Sequence, residues 1–120
     1  MNASQPVFIQ IQTIIENSIL DGTYTDDDLI ISTTQISRVY NVNPTTAVKA
    51  ISRLAEDGIL YKRPGIGMCV AENAREKIFE RRKKAFVGTT LDEFTAEANR
   101  LNITTDELIT LLSMTIFNKG

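Results

Sequence analysis

Histidine and tryptophan are absent from this 120-residue chain, and cysteine occurs once, at Cys69. A lone thiol excludes an internal disulfide, and one Cys without any His leaves the usual ligand set of a structural zinc site unfilled. The missing histidines also remove the commonest general acid or base, and no Ser, Thr or Cys stands in a nucleophile motif. The sequence therefore points away from an enzyme, and no metal or cofactor is expected. No apolar run approaches the roughly 20 residues that span a bilayer, and residues 1–6 have neither the basic region nor the apolar stretch of a signal peptide. These features imply a cytoplasmic protein with no membrane partner. What is present, 42% hydrophobic and 23% charged residues, is the balance of a globular chain long enough for one compact domain and a small appendage.

Phe8, Ile11, Ile15 and Ile19 recur at helical spacing and predict a first helix over residues 7–20, stopped by Asp21-Gly22. A polar loop containing Asp26, Asp27 and Asp28 follows, and residues 29–31 suffice only for a short strand or an extended entry. Ser32-Thr33-Thr34-Gln35 reads as a capping box, so a short second helix runs from there to about Tyr40. Asn41-Val42-Asn43 makes a tight turn. Asn43 before Pro44 then starts a third helix, because Asn caps the free N–H groups and Pro at the first helical position forfeits no useful hydrogen bond. Ala47, Val48, Ile51, Leu54 and Ala55 form its expected buried stripe, and Gly58 closes it. Thr45, Thr46, Lys49, Ser52 and Arg53 lie off that stripe, a lightly charged face suited to touching base edges. Residues 59–63 and 68–71 are β-compatible and flank the turn Pro64-Gly65-Ile66-Gly67, which predicts a hairpin. This order describes a mainly α fold with a small β-hairpin wing: a winged helix-turn-helix over residues 1–71.

At this point the sequence resembles the DNA-binding domain of the GntR family of bacterial transcription regulators. The resemblance is carried by "NVNPTTAVKAISRLAEDGIL" and the wing "KRPGIGMCV", with Thr45, Thr46, Lys49, Arg53, Leu54, Asp57, Gly58, Gly65 and Gly67 in the places of the family pattern. Asn43-Pro44 and the short tail resemble the small YtrA-type branch. The likeness implies a regulator acting as a homodimer on a palindromic double-stranded operator, a repressor, and control of a nearby transporter operon. It implies no particular small-molecule effector. Within it the candidate DNA contacts are Ser32, Thr34, Asn43, Pro44, Thr45, Thr46, Lys49, Arg53, Arg63, Gly65 and Gly67. Two departures motivate an alternative, a winged-helix protein-interaction module without DNA binding: Thr34 stands where the family has a DNA-contacting Arg, and Ile66 where a basic wing residue is common.

Residues 72–120 read as a short helical dimerisation tail. Thr90-Leu91-Asp92-Glu93 and Thr104-Thr105-Asp106-Glu107 both have the form of capping boxes, predicting two short antiparallel helices after a longer one. Phe94, Leu101, Leu108, Leu111, Leu112 and Ile116 are the candidate dimerisation residues, because so small a pair has too little interior to bury them alone. The run Arg81-Arg82-Lys83-Lys84 reads as a solvated helix face. Formal net charge is −2, yet residues 29–71 hold five basic residues against two acidic ones, so the local field over the candidate interface is positive.

Overall fold

A computed structural model describes residues 5–119. Residues 1–4, most of the stretch that lacks signal-peptide features, lie outside the described part, as do Gly120 and the side chain of Lys119. The chain divides into two units, one ending at Arg81 and the other beginning at Arg82.

In the first unit, α1 (Val7–Leu20), α2 (Thr33–Val39) and α3 (Pro44–Glu56) precede the strands β1 (Leu60–Arg63) and β2 (Gly67–Val70). The helix α4 (Ala74–Ala85) begins in the same unit. α3 packs against both α1 and α2. Ile11, Ile15 and Ile19 of α1, Ile36 of α2, and Ala47, Ala50, Ile51 and Leu54 of α3 are buried in one core with Ile59, Leu60 and Val70. The stripe of α3 is thus shifted from the expected one: Ala50 is buried and Val48 is 50% exposed. Both are apolar and flank the same stripe, and the small Ala50 is the one that is covered.

The hairpin is antiparallel with Leu60 opposite Val70 and Arg63 opposite Gly67. Its turn follows from Pro64 fixing φ and Gly65 adopting φ +77°, with the Ile66 N–H donating to the Arg63 carbonyl at 3.0 Å. Residues 27–30 lie along the other edge of β2, where the Ile30 N–H donates to the Met68 carbonyl at 3.0 Å and Leu29 bridges Cys69. The short extended entry is therefore a third rung of the wing. Cys69, fully buried there, behaves as a small hydrophobe.

The first unit extends ten residues past the boundary expected at Ala71, to Arg81, because Ala74 and Ile78 of α4 are wholly buried in its core. Polar ties reinforce this. Arg75 donates to the Leu20 carbonyl (3.1 Å), Lys77 to the Gly58 carbonyl (3.1 Å), and Arg81 pairs with Glu16 of α1 and, at 3.1 Å, with Asp57 at the end of α3. Arg81 thus departs from the expected solvated face.

In the second unit, a π-helical turn (Phe86–Leu91) adjoins α5 (Asp92–Arg100), and α6 (Thr105–Lys119) follows. No side chain caps the start of α5, so Thr90 to Glu93 is no capping box. At α6 the box does form: the Glu107 N–H donates to the Thr104 hydroxyl (3.2 Å), and the Glu107 carboxylate accepts from the Thr104 N–H (3.1 Å). Asn102 at φ +58° ends the preceding helix, with the Ile103 N–H donating to the Ala98 carbonyl at 3.0 Å, the left-handed C-terminal motif that Asn can adopt. α5 continues the helical chain directly from the π-helical turn and does not pack closely on α6, so the expected antiparallel pair is not a close-packed one within a single chain.

Candidate nucleic-acid interface

The turn between α2 and α3 is built from local bonds. Asn41 takes a left-handed φ of +51°, which Asn tolerates better than most residues. The Ser37 hydroxyl donates to the Val42 carbonyl (2.6 Å), and the Val42 N–H donates to the Ser37 carbonyl (3.0 Å). The Asn43 side-chain oxygen then accepts from the Thr45 N–H at 2.8 Å, with Pro44 in the first turn of α3. These bonds fix where α3 begins and leave its outer face free of core duties.

On that face Thr45, Lys49 and Ser52 are exposed, with Thr46 half-buried at its edge. Spacings of four and three residues place them on one side of the helix. The Lys49 ammonium lies 4.2 Å from the centroid of the Phe8 ring, and the Arg53 guanidinium 5.5 Å from it. Phe8, which the sequence suggests only as a core residue, is half-buried and serves as a perch for both cations. Such a contact is worth about 0.5–1 kcal/mol at exposed sites, so it orients Lys49 without locking it.

Ser32 and Gln35 form the expected capping box, the Gln35 N–H donating to the Ser32 hydroxyl (3.1 Å) and the Ser32 N–H to the Gln35 side chain (2.8 Å). The Ser32 hydroxyl keeps its own proton for an outside acceptor. Thr34 is exposed in the first turn of α2. Ser32, Ile51, Ile66 and Gly67 line one shallow cavity of about 250 Å³, so the start of α2, the middle of α3 and the wing meet on one side of the unit. At the wing, Gly65 is exposed, and a Cβ on Gly67 (φ +139°) would come within 3.0 Å of Leu29. The positive φ, together with this approach to the end of the Leu29 side chain, gives Gly67 a structural reason to be glycine.

Arg63 is held more firmly than its sequence position suggests. It donates to the Tyr61 hydroxyl and lies 3.7 Å from the Asp27 carboxylate, which accepts from that hydroxyl at 2.8 Å. The bond to Tyr61 raises the Arg63 pKa above its ordinary value, and the bond to Asp27 raises that of the Tyr61 hydroxyl. Asp27 therefore sits against the wing and partly offsets its positive charge. Among the described residues there is no cluster of metal ligands and no helix long and apolar enough to cross a membrane.

Residues 9–70, just over half the chain, match the family described as bacterial regulatory proteins, gntR family. The uncharacterized HTH-type transcriptional regulator YurK of Bacillus subtilis (strain 168) is 34% identical over 68 residues, which span 57% of this chain but 28% of YurK. The chain therefore matches less than a third of that relative's length. A crystal structure of a GntR-family transcriptional regulator from Bacteroides thetaiotaomicron is 27% identical with a TM-score of 0.81, covering 96% of this chain and all of that one. AraR(DBD) in complex with operator ORE1 is 30% identical with a TM-score of 0.54, covering 56% of this chain and 82% of that one.

Proposed function

The chain belongs to the gntR family of bacterial regulatory proteins, and from that premise we propose that it is a sequence-specific DNA-binding transcription regulator working in the cytoplasm as a homodimeric repressor on a palindromic operator. The observation that carries this reading is the outer face of α3, where Thr45 and Lys49 stand exposed on a helix whose opposite side is packed into the core. α3 enters the major groove. The N–H-rich start of α2, with Ser32 and Thr34, and the amide of Asn43 meet phosphates on either side. Pro44 and Thr46 flank the entry, Arg53 follows the backbone, and the tip at Gly65 and Gly67, with Arg63 behind it, approaches the neighbouring minor groove. The likeness to AraR(DBD), held on an operator, supports the mode of docking. Regulation of a transporter operon remains part of the proposal through the likeness to the small YtrA-type branch.

The dimer reading rests on the second unit. Phe94, Leu101, Leu111, Leu112 and Ile116 are each at least 44% exposed, and Leu108 is half-buried. Ala98 is the sole buried apolar side chain of that unit among the described residues. A helix that leaves this much apolar surface in water finds its interior in a second copy.

Selection of bound fragments from random or genomic DNA tests the whole reading. The expected product is a palindrome with half-sites about 10 base pairs apart. Affinity falls with added salt on a shallow slope, since few Lys and Arg side chains face the duplex. A folded dimer that shifts no fragment at low salt would transfer the assignment to a protein-interaction module.

Replacing Lys49 and Thr45 separates affinity from sequence choice. Lys49→Ala costs about 1–3 kcal/mol on the preferred operator and relaxes one symmetric pair of positions if the ammonium leaves Phe8 for a guanine; uniform weakening across sequences assigns it to phosphate instead. Thr45→Val keeps shape and a methyl group while removing the hydroxyl, so a loss confined to the selected site places that hydroxyl at a base or its phosphate. Equal binding of every duplex by both variants and the parent protein would remove α3 from the interface.

A further inference from the structure

Val48 is the one large hydrophobic side chain of α3 left exposed, at 50%, while Ala47, Ala50, Ile51 and Leu54 on the same helix are buried. It stands three residues after Thr45 and four before Ser52, so it shares their outward face. A half-exposed β-branched residue at the flank of this face is neither a strong helix former nor a solubilising one. The neighbouring cation does not screen it, because the Lys49 ammonium is drawn toward the Phe8 ring on α1. The flank of that face therefore carries a half-exposed branched aliphatic group one helical turn from each of two hydroxyls, Thr45 and Ser52.

Within the major groove the only apolar feature of a base pair is the 5-methyl group of thymine. Resting on the DNA-binding reading above, we propose that Val48 is a specificity-determining residue that reads a thymine methyl at one symmetric pair of operator positions. The branched side chain meets the methyl and both leave water. At cytosine the same position offers a hydrogen, and the isopropyl group faces a void; at adenine or guanine it faces polar groups that it cannot satisfy.

The test uses the full chain and duplexes selected from a random pool, with each thymine replaced in turn by deoxyuridine, which removes only the methyl. Wild-type protein is expected to lose about four-fold in affinity per half-site at one symmetric pair, the effect of a single buried methyl group. Val48→Ala, a change that favours the helix, should weaken binding to the thymine duplex by a similar factor and be indifferent to deoxyuridine at that pair alone. If no thymine position responds in the wild type, or if the Val48→Ala and deoxyuridine losses multiply everywhere, Val48 does not read the methyl, though the protein still binds its palindrome. Absence of binding to any duplex sinks the DNA-binding reading and this one with it.

Discussion

A chain ending at Arg81 is expected to fold, to sediment as a monomer, and to bind a single operator at least about 100-fold more weakly than the full chain. The weakening needs no lost DNA contact, because every candidate contact lies within the first unit. It comes from separating the two half-site readers: joined subunits present the second half-site at a high effective concentration, and avidity gains of 10²–10⁴ are ordinary for such pairs. The end point matters. Ending at Ala71 would remove Ala74 and Ile78, both wholly buried, together with the Arg81 pairs to Glu16 and Asp57. That shorter chain should fail to give a cooperative melt, whereas the chain ending at Arg81 should retain one. A stable dimer of the longer fragment in sedimentation would place the subunit interface in the winged-helix unit.

Ile78→Ala in the full chain should destabilise the first unit by about 2–5 kcal/mol, through lost burial and the cavity left beneath α4. The total stability of a domain this size is about 5–15 kcal/mol, so the loss is a large share of it. Thermal or urea unfolding with the operator absent measures the effect. If Ile78→Ala melts with the parent protein, α4 contributes nothing to the core and the boundary near Ala71 regains its meaning. Affinity per folded molecule should be unchanged, since Ile78 belongs to the core cluster and not to the outer face of α3.

What was legible in the sequence was local. The capping box at Ser32, the Asn43-Pro44 start and the Pro64-Gly65 turn depend on atoms within four residues of one another, and each is present. The same rule misled at Thr90. Thr90 to Glu93 and Thr104 to Glu107 have the same pattern, but Leu91 and Asp92 carry helical dihedrals, and the chain before them is already helical. No free N–H group was there to be capped. At Thr104 the left-handed Asn102 has just ended a helix, and the cap forms. Val48 and Ala50 could not be ranked from the sequence, because the two straddle the edge of one apolar stripe and only the approach of the neighbouring helices decides which is covered. The perch of Lys49 on Phe8 and the pairing of Arg81 with Glu16 join residues 41 and 65 positions apart, and no local pattern announces either. Nor does any local pattern announce that the Asp27 carboxylate rests on Tyr61 and Arg63 of the wing.

Arg81 touches α1 through Glu16 and the end of α3 through Asp57. The Glu16 side chain is only 7% exposed, and counterions reach a buried carboxylate poorly, whereas cations on the outer face of α3 are bathed in electrolyte. Ionic strength therefore acts on the two sets of charges unequally. Rising ionic strength should weaken contacts made by the outer face of α3, on the shallow slope expected of so few cations, more than it loosens the link that ties α3 to α1 and α4.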